Sequence, residues 1–231
     1  MPQPSRKKLA VIGHPRCASG YMSRLAMRYG LEVGHEHYGR DGISSWMFTV
    51  EDLNPPYPLR DRVTPVNTTF EYTLLHVRNP AEAVPSVMLE NAIGRSFSFR
   101  RQHILRECGV DIATYRTAID RAVASIVYWT EIGLRRTPDW IIPVERAEEL
   151  FPDVARAIGA QAEDTDRAGD VLGTNFNSSE KKHKHGAKKP VLSISDWLGI
   201  DAGLREILEA QCGRFGYDLP WMPAAPADPK R

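Results

Sequence analysis

The sequence predicts an α/β domain of three layers, a central parallel sheet with helices on both faces. Short β-branched apolar runs recur at residues 8–13, 72–77 and 140–144, and each leads into a stretch of helical periodicity. The first run ends in glycine before a loop of small residues. Continuous apolar runs of this length suit strands buried on both faces, as a parallel sheet requires. With 231 residues the chain can bury one good core, and a single domain over residues 1–219 is expected.

Residues 8–13 (KLAVIG) make the first strand. Tyr21, Met22, Leu25, Ala26 and Tyr29 then fall on one face of a helix that Gly30 stops. Residues 31–33 form a second short strand. Residues 34–69, with NPPYP near their centre, read as a long loop region with room for one short helix. The strand YTLLHV at 72–77 is followed by Asn79-Pro80, which turns the chain. A helix then runs through Ala81, Val84, Val87, Met88 and Asn91, its start perturbed by Pro85.

Residues 112–136 carry the longest helical pattern, with Ile119, Val123, Ile126, Val127 and Thr130 on one face. WIIPV at 140–144 is a strand and 147–158 a short helix. Residues 159–189 turn polar and end in KKHKHGAKK, which predicts a flexible basic loop. Ser195 and Asp196 cap a last helical region through Phe215, and 220–231 read as a disordered Pro-rich tail.

A formal net charge of +1 gives no global pull toward nucleic acid or an anionic membrane. The run KKHKHGAKK lacks interleaved aromatic residues, which argues against single-stranded nucleic acid as a partner. Cys17, Cys108 and Cys212 are odd in number and far apart, so neither a CxxC pair nor a disulfide framework is expected. No run is apolar for long enough to span a membrane or serve as a signal segment, and a cytoplasmic protein is expected.

The loop Pro15-Arg16-Cys17-Ala18-Ser19-Gly20-Tyr21 stands between a strand and a helix. The first amides of a helix lack partners and attract anions, and this loop adds small residues, a hydroxyl and a fixed cation. An ordinary strand-to-helix turn is the plain alternative. The ATP-type pattern is not met, because six residues, not four, separate Gly13 from Gly20 and Tyr21 stands where lysine would follow. A cysteine-dependent phosphatase is a near miss: six residues separate Cys17 from Arg24 where that loop needs five.

The loop resembles the 5′-phosphosulfate loop of the PAPS-dependent sulfotransferases, roughly Pro-[Lys/Arg]-Ser-Gly-Thr-Thr-[Trp/Tyr]. Arg78-Asn79-Pro80 after a strand, with Ser86 eight residues beyond Arg78, is similar to that family's 3′-phosphate site. Tyr128-Trp129, WIIPV with Glu145, and the basic stretch before Pro190 extend the likeness over most of the chain.

The resemblance implies a P-loop nucleotide-hydrolase-like fold, PAPS as sulfuryl donor, PAP as product, and no metal. The acceptor would be a hydroxyl of a glycan or small molecule. Arg16 would stabilise the departing 5′-phosphate, with Ser19 and the loop amides beside it. Arg78 and Ser86 would hold the 3′-phosphate, and one of Lys181–Lys189 would touch phosphate.

A base is sought in Gly34-His35-Glu36-His37, where Glu36 resembles the glutamate of carbohydrate-directed members and His35 competes with it. An H-x-H metal pair is a third reading, without a visible third ligand. Trp46 reads as a core residue, with the acceptor pocket as its other place. Cys17, at a helix start where thiols can acidify, is expected to hold loop shape and not to act as a nucleophile. The alternatives to a transferase are a nucleotide-binding module without chemistry and the phosphatase.

Overall fold

A computed structural model describes residues 5–52, 54–57, 59, 68–160 and 188–222. The predicted flexible loop lies outside the described residues from 161 to 187, as does the tail from 223 on. Lys181, Lys182 and Lys184 fall there too.

The chain folds around a five-stranded sheet in the order β2-β3-β1-β4-β5, every pairing parallel. The strands are β1 (Ser5–Gly13), β2 (Val33–His35), β3 (Gly42–Ser44), β4 (Thr68–Val77) and β5 (Trp140–Pro143). The helices are α1 (Ser19–Arg28), α2 (Pro80–Asn91), α3 (Gly94–Cys108), α4 (Ala118–Arg135), α5 (Ala147–Ala157), α6 (Ile194–Leu198) and α7 (Ala202–Phe215).

Alternation along β1 divides the core. Leu9 and Val11 pack with Met22, Leu25 and Phe151 of α1 and α5. Ala10 and Ile12 face Val84, Val123 and Trp129 of α2 and α4. Two helical layers on a central sheet, as expected, are the result. Among the described residues no helix is long and apolar enough to cross a membrane.

Several elements depart from expectation. β3 pairs directly with β1, in the stretch read as loop. Gly42 permits this, because a Cβ there would meet the Leu9 carbonyl oxygen at 1.9 Å. α3 was not expected at all. α4 starts at Ala118, where Thr117 accepts from the Asp120 amide, while Gly109 in the left-handed region ends α3. The second strand lies two residues later than expected. The last helical region is two helices, capped by Ser193 and Asp201.

Candidate functional site

In a wholly parallel sheet the carboxyl ends of all strands share one edge, and the loops that follow them meet there. β1 delivers residues 14–18 to that edge, β4 delivers Arg78, and β2 delivers His35 and Glu36. The backbone of Gly13 is fixed first. Thr49 Oγ1 accepts from its amide at 3.3 Å, and Trp129 Nε1 donates to its carbonyl at 3.1 Å. A Cβ on Gly13 would sit 2.6 Å from the His76 carbonyl and 2.7 Å from its ring.

The loop then tightens. The Cys17 amide donates to the His14 carbonyl at 3.1 Å. Arg16 and Ala18 take left-handed φ values of 70° and 76°, uncommon for residues with a Cβ and often found at ligand clamps. α1 begins with no side-chain cap and no acidic residue in its first turn. The positive end of such a helix attracts anions.

The two motifs read separately from the sequence meet here. Arg16 Nε donates to Ser86 Oγ at 3.2 Å, and Arg78 Nη1 donates to the Arg16 carbonyl at 3.2 Å. Arg78 also approaches Glu82 at 3.7 Å. Lys189 joins them by donating to the Glu82 carbonyl at 3.3 Å. Desolvation, and next the Arg78 charge, hold the Lys189 ammonium below its ordinary range. Three cations thus stand together at one end of the loop. The Arg16 guanidinium leans onto α2, toward the side assigned to Arg78 and Ser86.

On the other side, His35 Nε2 and Ser19 Oγ are 3.1 Å apart. His35 reaches the loop although β3 separates β2 from β1. Glu36 follows with φ 56°, its Oε2 accepting from Ser45 Oγ at 2.6 Å and its Oε1 3.9 Å from His35 Nε2. Desolvation pushes the Glu36 carboxyl up to about 7, against the opposing Ser45 hydrogen bond. Such a group exchanges a proton readily near neutral pH.

Cys17 is 2 % exposed, and burial pushes its thiol up to about 12 despite the nearby Arg78 charge. A helix start does not acidify it, and it holds no thiolate for phosphatase chemistry at neutral pH. The Tyr21 hydroxyl donates to Glu148 at 3.3 Å, so the last loop residue is engaged with α5. Trp46 packs among Phe99 and Trp129 in the core. Among the described residues no three His, Cys, Asp or Glu side chains group as a metal site.

Residues missed by sequence reasoning complete the surroundings. His76 is buried, with the Cys17 backbone near its ring, and burial lowers it to about 4. His14 and Arg100 are also buried behind the loop. A cavity of about 20 Å³ next to them, touched by Cys17, Arg78, Thr130 and Tyr217, has room for about one water and not for a nucleotide. The adjacency of His14 to the loop, and of His76 to Arg78, was the available signal. Comparison with protein-family models, characterised proteins and solved structures finds no match to this chain.

Proposed function

We propose that the chain is a sulfotransferase with a P-loop-like cradle, moving a sulfuryl group from PAPS to a hydroxyl of a glycan or small-molecule acceptor. The observation that carries this reading is the convergence of Arg16, Arg78, Ser86 and Lys189 beside the start of α1. A donor with phosphates at both its 5′ and 3′ positions needs two anion sites a ribose apart. The α1 amides with Ser19 would serve the first, and Arg78 with Ser86 the second.

In the transfer, the acceptor oxygen bonds to sulfur as the bond from sulfur to the 5′-phosphate oxygen breaks. The acceptor proton passes to Glu36, whose raised basicity suits it to take a proton near neutral pH. Negative charge builds on the departing phosphate. The α1 amides are fixed donors for that charge, and preorganised stabilisation of this kind is where catalysis is largest; Arg16 would join them by turning from Ser86. His35, on Ser19, borders both groups. The raised thiol of Cys17 weighs against the phosphatase alternative.

Calorimetric titration with PAP, with AMP, ATP and inorganic phosphate as controls, tests the donor class. PAP is expected to bind much more tightly than AMP. Equal affinities for the two would remove the 3′-phosphate assignment and the sulfotransferase reading with it. A PAPS-dependent transfer assay then separates an enzyme from a binding module.

A further inference from the structure

Arg100, in the middle of α3, is fully buried. Its Nη1 donates to Ser96 Oγ at 2.7 Å, its Nη2 to Asn91 Oδ1 at 2.6 Å and its Nε to Ser125 Oγ at 2.9 Å. Its guanidinium carbon lies 5.8 Å from the Trp46 ring centroid. All of these partners are neutral, and among the described residues it forms no ion pair with a carboxylate. Desolvation lowers its pKa to about 10, which leaves it charged at neutral pH. The largest charge acting on it is that of Glu90, which is out of contact, and a buried cation without a paired anion is an expensive feature for a fold to keep.

The hydrogens around it can be placed by exclusion. Ser125 Oγ accepts from Arg100, so its own proton is free to point at His14 Nε2, 2.9 Å away. His14 Nε2 is then an acceptor, and its proton sits on Nδ1, which donates to the Pro15 carbonyl at 2.6 Å. Burial first, and next the Arg100 charge, keep His14 neutral. The result is a chain of three hydrogen bonds, all pointing from the buried cation to the loop. It ends one residue before the left-handed Arg16. The field of Arg100 also reaches Cys17 within the loop.

We propose that Arg100 is the built-in countercharge for an anion held by the loop at residues 14–19 and, through Ser125 and His14, the positioning residue that fixes that loop. The anion would add to the Glu90 carboxylate, which acts on Arg100 without contacting it, a negative charge on the loop side. This inference rests on the loop being a phosphate cradle, but not on the ligand being a 3′-phosphorylated nucleotide.

The test is calorimetry of the wild type, Arg100→Gln, Arg100→Lys and Ser125→Ala with PAP and, separately, with pyrophosphate. Arg100→Gln should lose about tenfold in affinity for both ligands, as expected for removing a unit charge several ångströms away. Arg100→Lys, which keeps the charge, should lose less, and Ser125→Ala should fall between the two. Pyrophosphate affinity unchanged in Arg100→Gln overturns the proposal.

Should that variant fail to fold, nitrogen NMR of His14 in the wild type decides. A neutral ring protonated on Nδ1 between about pH 5 and 9, and shifted by pyrophosphate, supports the relay. A ring protonated on Nε2, or one that charges in that range, overturns it. A wild type that binds pyrophosphate well but PAP no better than AMP defeats the nucleotide reading alone. One that binds neither anion defeats both.

Discussion

Arg16 donates through Nε to Ser86 across 70 residues of sequence, and the 3.2 Å bond joins the loop after β1 to the helix after β4. In this arrangement the guanidinium is held beside Arg78 until a ligand competes for it. Its proposed role at the departing 5′-phosphate would require the side chain to turn away from Ser86. Arg16→Ala is expected to cut the turnover of sulfuryl transfer by about 10² or more, as for loss of a positioned donor to developing charge. Ser86→Ala should act mainly on PAP affinity. Steady-state kinetics with calorimetry separates the two effects, and Arg16→Ala with unchanged turnover would remove Arg16 from the chemistry.

Arg78 has charge and reach, and among the described residues no carboxylate is closer to it than Glu82 at 3.7 Å. A charge-assisted hydrogen bond of about 1.5–3 kcal/mol corresponds to roughly tenfold to a hundredfold in binding. Arg78→Ala should weaken PAP by that factor and leave AMP nearly unchanged. Equal losses for the two nucleotides would place Arg78 away from the 3′-phosphate.

Glu36 gives a signed pH dependence. Its pKa rises from an ordinary 4.5 to about 7 on folding, so the folded state favours the protonated carboxyl. The associated stability is full below the ordinary value and is lost as pH rises through about 7. Glu36→Gln should therefore match the wild type near pH 4 and exceed it by about 2–3 kcal/mol above about pH 8. Denaturant midpoints across that range measure this. The same variant should lose about 10² or more in transfer, together with the rise in wild-type rate through neutral pH. A stability difference independent of pH would sink the account of Glu36 as a half-buried, desolvated carboxylate.

Cys17 is expected to be inert. Native protein at about pH 8 should resist thiol reagents at this position until it unfolds, because the buried thiol stays protonated. Cys17→Ala should keep PAP affinity within about twofold, with a stability change of about 1 kcal/mol. Rapid labelling of Cys17 in the folded state would contradict its placement.

Gly13→Ala tests the close approach of β1 to β4. The added Cβ meets the His76 carbonyl at 2.6 Å, and backbone cannot turn aside as a flexible side chain can. A loss of about 1–3 kcal/mol is expected in thermal or denaturant unfolding. A neutral effect would mean that β4 yields at this point.

The strands β1, β4 and β5 were legible because each is an apolar run buried on both faces. α3 was not, and its inward face explains why. Ser96, Phe99, Arg100, His103 and Ile104 are its buried residues. An inner stripe with a hydroxyl, a guanidinium and an imidazole carries no apolar period to detect. His103 survives inside because Asp52 meets its Nε2 at 2.8 Å, and that pairing is invisible in a linear reading.

β3 escaped notice because three residues with a glycine among them make no strand signal. The candidate residues Arg16, Ser19, His35, Glu36, Arg78 and Ser86 were picked out by type, spacing and the family resemblance. Their mutual geometry was not, since it depends on β2 lying beyond β3. Arg100, His14 and His76 were passed over because they act from behind the loop.

The sheet order has a consequence for how this molecule can be divided. β1 and β4 are neighbours in space, yet all of β2, β3 and the connection up to Thr68 lie between them in sequence. A cut after Glu51 would leave Arg16, Ser19 and Glu36 on one fragment and Arg78, Ser86, Arg100 and Lys189 on the other. Neither fragment would own half a usable pocket. Under the proposed function, ligand binding would then depend on the joining of β1 to β4, and a divided chain would report that joining.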